Sequence, residues 1–184
     1  MKPVFFAPLL AAACLPWTAL AAEPASGDWP SYGHDVAATR YSPLSQINPA
    51  NVSKLALAWR HHMRPPAASG EASVNLVSET TPLAIDGVVY LSSPLGAVWA
   101  LDGDSGRQIW SIQLPDGDAA ASRGFQYWAG DRTAGARLII ATRMGRILAV
   151  SPQTGALIPS FGQGGVVSET RLTDASPLAA GGRM

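Results

Sequence analysis

Apolar and polar positions alternate along this chain in short runs, and the runs come in a repeating order. "PLAIDGVVYLSS" (Pro82 to Ser93) places two apolar runs around Asp86-Gly87, a dipeptide that predicts a two-residue hairpin turn. "AVWALDGDSGRQIW" (Ala97 to Trp110) follows. On an extended strand Val98 and Ala100 face one way and Trp99 and Leu101 the other, so both faces are apolar. That suits a strand enclosed between neighbouring sheets. "GDSG" predicts the next turn, and "RQIW" opens the returning strand. Earlier, "LALAWRHH" (Leu55 to His62) alternates weakly and predicts a further strand. Residues 27 to 49 show no sustained period. They read as a structured entry segment with aromatic anchors at Trp29, Tyr32 and Tyr41.

The order recurs at an offset of 49 residues: Gly96 matches Gly145, Val98 matches Ile147, Ala100 matches Ala149, Gly106 matches Gly155 and Ile109 matches Ile158. A third phase opens near the end, where "ASPLAAGG" from Ala175 matches "TTPLAIDG" from Thr80. Short strands at a period near 50 residues predict a β-propeller with one four-stranded blade per repeat. A single blade cannot bury its own faces and needs a neighbour on each side. The fold class expected is therefore all-β, an incomplete propeller of two to three blades. Closed rings have about four to eight blades. The chain is accordingly expected to be the N-terminal piece of a longer protein or an early-terminated product, needing further C-terminal blades for closure. Alone, it is not expected to fold stably.

Composition agrees and adds a compartment. The 18 Gly and 15 Pro favour turns over long helices. Thirteen basic residues balance 13 acidic ones, which leaves no basic footprint for nucleic acid. Residues 1–22 have a charged start at Lys2, an apolar run and small residues at Ala19 to Ala21, the pattern of a signal peptide. Two other readings compete. One is an uncleaved membrane anchor, against which Pro8 and Pro16 interrupt the run. The other is lipid attachment at Cys14, against which "AAAC" lacks the aliphatic residue such sites carry. Cleavage after Ala22 would remove the only Cys, leaving no disulfide or thiolate metal site. The expected location is the periplasm, with membrane association left open. The expected organisation is an entry segment at 23–54 and blade repeats at 55–184.

Several segments together carry a family resemblance. "DWPSYGHD", "RYSPLSQIN" and "NVSKLALAW" are similar to the start of the pyrroloquinoline quinone (PQQ)-dependent alcohol and glucose dehydrogenases. "ETTPLAIDG" resembles that family's E-x-T-P segment, "SRGFQYW" its R-G-x-x-Y-W segment, and "RLIIATRMGRILAVSPQTGALIPSFGQGG" its second blade, running into F-G-x-x-G. The resemblance implies an eight-bladed propeller with PQQ on its axis, assisted by Ca²⁺. It implies oxidation of an aldose sugar or an alcohol in the periplasm, with electrons passed to a quinone or a cytochrome. It also implies cofactor contacts at Glu79, at Arg123 and at Thr142, the Arg pairing with a PQQ carboxylate. The family's metal ligands and catalytic Asp come from later blades, so no catalytic residue and no metal ligand is assigned here. Some alcohol-oxidising members carry a vicinal Cys pair before R-G. This chain has "DAAASRG" instead, which favours the glucose-dehydrogenase-like branch or a divergent member.

Plainer readings stand beside these. "DGDSG" lacks the further oxygen ligands of a calcium loop and reads as a blade turn. His61 and His62 are adjacent and face opposite ways on a strand, which disfavours a zinc site. "GQGGVV" has Val167 where a dinucleotide fingerprint needs its third glycine. Trp59, Trp99 and Trp110 read as inter-blade packing, and Trp128 is a weak candidate for the cofactor plane. Two alternatives to the enzyme reading remain: a non-catalytic propeller scaffold of the outer-membrane assembly type, or a decayed gene fragment. Glu79 and Arg123, set against the poor lipid-attachment signal at Cys14, favour the enzyme.

Overall fold

The computed structural model describes residues 27–63 and 78–168. Residues 1–22, with their signal-like pattern, and the third repeat phase from Ala175 lie outside these. Eight strands form two four-stranded antiparallel sheets in plain meander order. The first holds β1 (Leu83–Ile85), β2 (Val88–Ser92), β3 (Ala97–Asp102) and β4 (Gln108–Gln113). The second holds β5 (Ala120–Gly130), β6 (Gly135–Thr142), β7 (Arg146–Val150) and β8 (Val166–Ser168). The only helices among the described residues are two three-residue 3₁₀ turns, Val52–Lys54 and Pro115–Gly117.

The predicted turns form for the predicted reasons. Asp86 and Gly87 both take positive φ, 48° and 75°, as the tight β1–β2 turn requires. The 49-residue offset holds at the level of hydrogen bonds. Gly106 N–H donates to the Asp102 carbonyl and Gly155 N–H to the Ser151 carbonyl, each at 2.8 Å. Asp102 and Ser151 then cap their own turns with side-chain oxygens. Asp102 accepts from Ser105 N and Ser105 Oγ, at 2.9 and 2.6 Å, and Ser151 Oγ accepts from Thr154 N at 3.3 Å.

The sheets face each other across one apolar core. Leu83, Tyr90, Val98, Ala100 and Trp110 from the first sheet meet Phe125, Leu138, Ile140, Leu148 and Val150 from the second. Val98, Ala100 and Leu101 are fully buried, as the two-faced apolar pattern of β3 requires. A tryptophan from the preceding stretch of chain is fastened to the outer turn of each sheet. Trp110 Nε1 donates to the Pro152 carbonyl at 2.8 Å, and its ring covers Gly155, where any side chain would run into the indole. Trp59 does the same one repeat earlier. Its Nε1 donates to the Gly103 carbonyl at 2.9 Å, and its ring covers Gly106. Trp99 meets His61 edge to face, with centroids 4.9 Å apart.

Three local expectations change. Leu55 to His62 carries no strand ladder, because no described neighbour lies alongside to complete the hydrogen bonds; Leu57 is 72% exposed. Tyr41 is exposed and anchors nothing among the described residues. The outer strand of the second sheet is interrupted. Ile158 N–H makes one ladder bond to the Ala149 carbonyl, the chain then turns through Phe161 to Gly165, and only at Val166 does β8 begin.

Candidate functional site

The site is best followed from β5, whose pairing with β6 is badly offset. Ala120 pairs with Thr142 and Phe125 with Ile140, so five steps along β5 match only two along β6. The surplus residues form a bulge, and bulges re-aim side chains. Arg123 sits on this bulge and is exposed, whereas Ala120, Ala121, Gly124 and Phe125 around it are buried. The glycine beside it has a steric cause: a Cβ at Gly124 would run into the Ala141 carbonyl oxygen.

Just before the bulge, at the entry to β5, lies a buried carboxylate. Asp118 is 1% exposed and accepts hydrogen bonds from Ala119 N at 2.8 Å, Met144 N at 3.2 Å and Arg146 Nε at 3.0 Å. The Thr142 hydroxyl also donates to it. Burial pushes the Asp118 carboxyl up, but the donors from Thr142, Ala119, Arg146 and Met144 outweigh it and hold the group below its usual range. Arg146 reaches on to Asp116 at 2.8 Å and to the Pro115 carbonyl at 3.1 Å. One ion-paired cluster thus ties the connection between the sheets to the β6–β7 turn, next to the bulge.

From the other side the entry segment runs along the inner strands. Trp29 bridges Ala84 of β1, and Tyr127 N–H of β5 donates to the Pro30 carbonyl at 2.8 Å. Two residues later the Tyr32 ring lies under Arg123, 4.9 Å from guanidinium carbon to centroid. Arg40 lies over the same ring at 5.1 Å and donates to the Tyr32 hydroxyl at 3.3 Å. Among the described residues, neither Arg123 nor Arg40 has a carboxylate partner.

Arg123, on the bulge, and Thr142, paired with Ala120 just before it, therefore lie at the same end of the second sheet, with different side-chain partners. Thr142 is fully buried, and besides donating to Asp118 its hydroxyl accepts from Arg146 N at 3.2 Å. Glu79 is exposed in the stretch leading into β1, at the corresponding end of the first sheet; no hydrogen bond or ion pair joins it to the other two. Trp128 lies toward the opposite end of β5, under Arg137 at 4.8 Å. That opposite end also holds a cleft of about 320 Å³ between the sheets, lined by Asp86, Tyr90, Tyr127 and Gln153. Burial there pushes the Tyr90 hydroxyl up to about 12. Among the described residues no three His, Cys, Asp or Glu side chains gather to hold a metal ion.

The donor set suits an anionic cofactor. An exposed guanidinium without a carboxylate partner, backed by an aromatic face and a second guanidinium, matches a molecule bearing several carboxylates. It does not match a cation, so no step through Ca²⁺ is derived from these residues. Sequence reasoning overlooked Tyr32, Arg40, Asp118 and Arg146 as parts of this site. The only available signal was that Tyr32 and Arg40 lie within the same similar segments that carry the resemblance.

Comparison with known proteins shows what the chain as a whole is similar to. The family model for the PQQ β-propeller domain of glucose/ethanol/alcohol dehydrogenases matches residues 29–180. The glycerol dehydrogenase large subunit of Gluconobacter thailandicus is 36% identical over 159 residues, covering 80% of this chain and 21% of that protein. The 1-butanol dehydrogenase (cytochrome c) of Thauera butanivorans is 33% identical over 139 residues, covering 71% of this chain and 18% of that protein. Among solved structures, the quinohemoprotein alcohol dehydrogenase of Comamonas testosteroni superposes with a TM-score of 0.54 at 32% identity, covering 70% of this chain and 18% of that one. The chain spans about a fifth of the length of the curated relatives it matches. With two four-stranded blades, a tryptophan ring on the turn glycine of each and this ordered match, the chain belongs to the PQQ β-propeller family of glucose, ethanol and alcohol dehydrogenases.

Proposed function

We propose that this chain supplies part of a periplasmic PQQ-dependent dehydrogenase that oxidises an alcohol or a sugar and passes electrons to a quinone or a cytochrome. The observation that carries the proposal is Arg123, exposed on its bulge at the end of β5 with no acidic partner among the described residues. The names of the relatives, a glycerol and a 1-butanol dehydrogenase, favour an alcohol or polyol over an aldose. The signal-like start of the chain supports export.

When bound, PQQ supplies the redox chemistry as an o-quinone that accepts two electrons and two protons. The residues of this chain bind and orient it. Arg123 presents a planar fork of donors to a carboxylate, and the bulge and Gly124 fix where that fork stands. Glu79 is an exposed carboxylate at the same end of the neighbouring blade and would orient the cofactor by hydrogen bonding. Thr142 contributes chiefly through the Asp118 network at the entry to β5. The metal ligands and the proton-abstracting carboxylate are assigned to blades outside these residues, so this portion alone is expected to be inactive.

The test is a titration of the intact protein with PQQ in the presence of calcium, followed by dye-linked oxidation of ethanol, 1-butanol, glycerol and glucose. Stoichiometric uptake with oxidation of an alcohol is the expected result. Neither uptake nor oxidation of any of the four would end the proposal.

A further inference from the structure

We infer that Tyr32 and Arg40 are positioning residues for Arg123, forming with it a clamp for one carboxylate of the cofactor. This rests on the PQQ reading above and extends it to residues of the entry segment that no motif role covers.

Three observations converge. First, two guanidiniums share one phenol ring, at 4.9 and 5.1 Å, with no carboxylate partner among the described residues. Two like charges on one ring repel each other, and an anion between or beside them removes that repulsion. Second, the loop that delivers Arg40 is strained. His34, Ala38 and Arg40 all hold positive φ, at 77°, 53° and 53°. Non-glycine residues persist in this region only where their surroundings over-determine them.

Third, those surroundings are visible. Asp35 accepts from Thr39 N at 3.0 Å and from Thr39 Oγ1 at 2.6 Å. Arg40 N–H donates to the Gly33 carbonyl at 3.0 Å. Gly33 is packed so tightly against Ala38 that a Cβ there would collide with it. The loop is thus built to bring Arg40 back onto the ring of Tyr32, eight residues earlier. An exposed arginine normally samples many rotamers. Stacking on an aromatic face restricts it and lowers the ordering cost of gripping a carboxylate.

The experiment uses the intact protein, freed of cofactor and titrated with PQQ or with PQQ trimethyl ester, calcium present, by tryptophan fluorescence. Arg40→Gln is expected to weaken PQQ binding about two- to fivefold, the size of one exposed cation–π contact. Tyr32→Leu, which removes the platform for both arginines, is expected to weaken it about tenfold. Tyr32→Phe keeps the ring and should bind PQQ almost as wild type. The trimethyl ester, lacking carboxylates, should bind all variants alike. Equal PQQ binding across the variants would overturn the inference, and so would an equal loss for acid and ester, which would mark a general structural defect. Wild-type protein that takes up no PQQ would instead overturn the proposed function and this inference together.

Discussion

The same tryptophan fastening is built twice among the described residues, and the two copies differ in what surrounds them. Trp110 rises from a paired strand, is 9% exposed and belongs to the main core with Tyr90 and Leu148. Trp59 comes from backbone with no strand partner and stands outside that core. Yet each indole makes the same bond, to Pro152 at 2.8 Å and to Gly103 at 2.9 Å, and each lies on its turn glycine. The geometry of the fastening is therefore set by the turn that receives it, not by the sheet that sends the tryptophan. Its contribution to stability is another matter, because that depends on how much apolar surface closes around the ring.

This contrast can be broken at several points. Trp110→Ala should cost the intact protein about 3–5 kcal/mol, as large aromatic truncations in cores do, and should lower its melting temperature most. Asp118→Ala leaves Arg146 without its buried partner; about 3 kcal/mol is expected, the low end for a buried pair because Arg146 also reaches the exposed Asp116. Trp59→Ala should cost only about 1–2 kcal/mol. If chemical denaturation gave Trp59→Ala and Trp110→Ala equal losses, the turn alone would account for the stability and the core around Trp110 would count for little. Gly155→Ala and Gly106→Ala both force a Cβ onto a ring at positive φ, near 70°. Each is expected to cost about 1–2 kcal/mol, with the larger loss at Gly155, whose covering ring is less able to move aside.

Acid gives a gentler probe. The Asp118 carboxyl titrates below its ordinary 3.8 in the folded chain. Its stabilising contribution is complete above that value and is lost as the pH falls through the lower folded-state value. Melting curves between pH 5 and 2, ranges chosen around roughly the unperturbed carboxylate value, should show Asp118→Asn with a shallower loss than wild type. Parallel curves would remove Asp118 from the acid response.

Much of this architecture was legible in the chain itself. Asp86-Gly87, the glycines at 96, 106, 145 and 155 and the two-faced apolar run of β3 are local signals, and local physics decides them. The Leu55 to His62 strand was misread because alternation specifies a face but cannot supply a hydrogen-bonding neighbour. The break before β8 was missed because the alignment of Ile109 with Ile158 holds for one ladder bond and then fails at the glycine-rich turn. The site was harder. Asp118 and Arg146 meet across 28 residues, in a stretch where no period links them. Tyr32 meets Arg123 only because Trp29 and Pro30 are laced along β1 and β5, a long-range pairing without a composition signal.

The tryptophan fastenings also have a direction in time. Each indole binds a turn that lies later in the chain, 44 residues on for Trp59 and 42 for Trp110. A ribosome therefore always makes the hook before the eye. At about 5–20 residues per second the receiving turn emerges roughly 2–9 s after its tryptophan. Each tryptophan is thus already present when the turn it binds appears, in whichever compartment the chain folds. Written with the tryptophan after its turn, each turn would instead have to wait for the ring that covers its glycine.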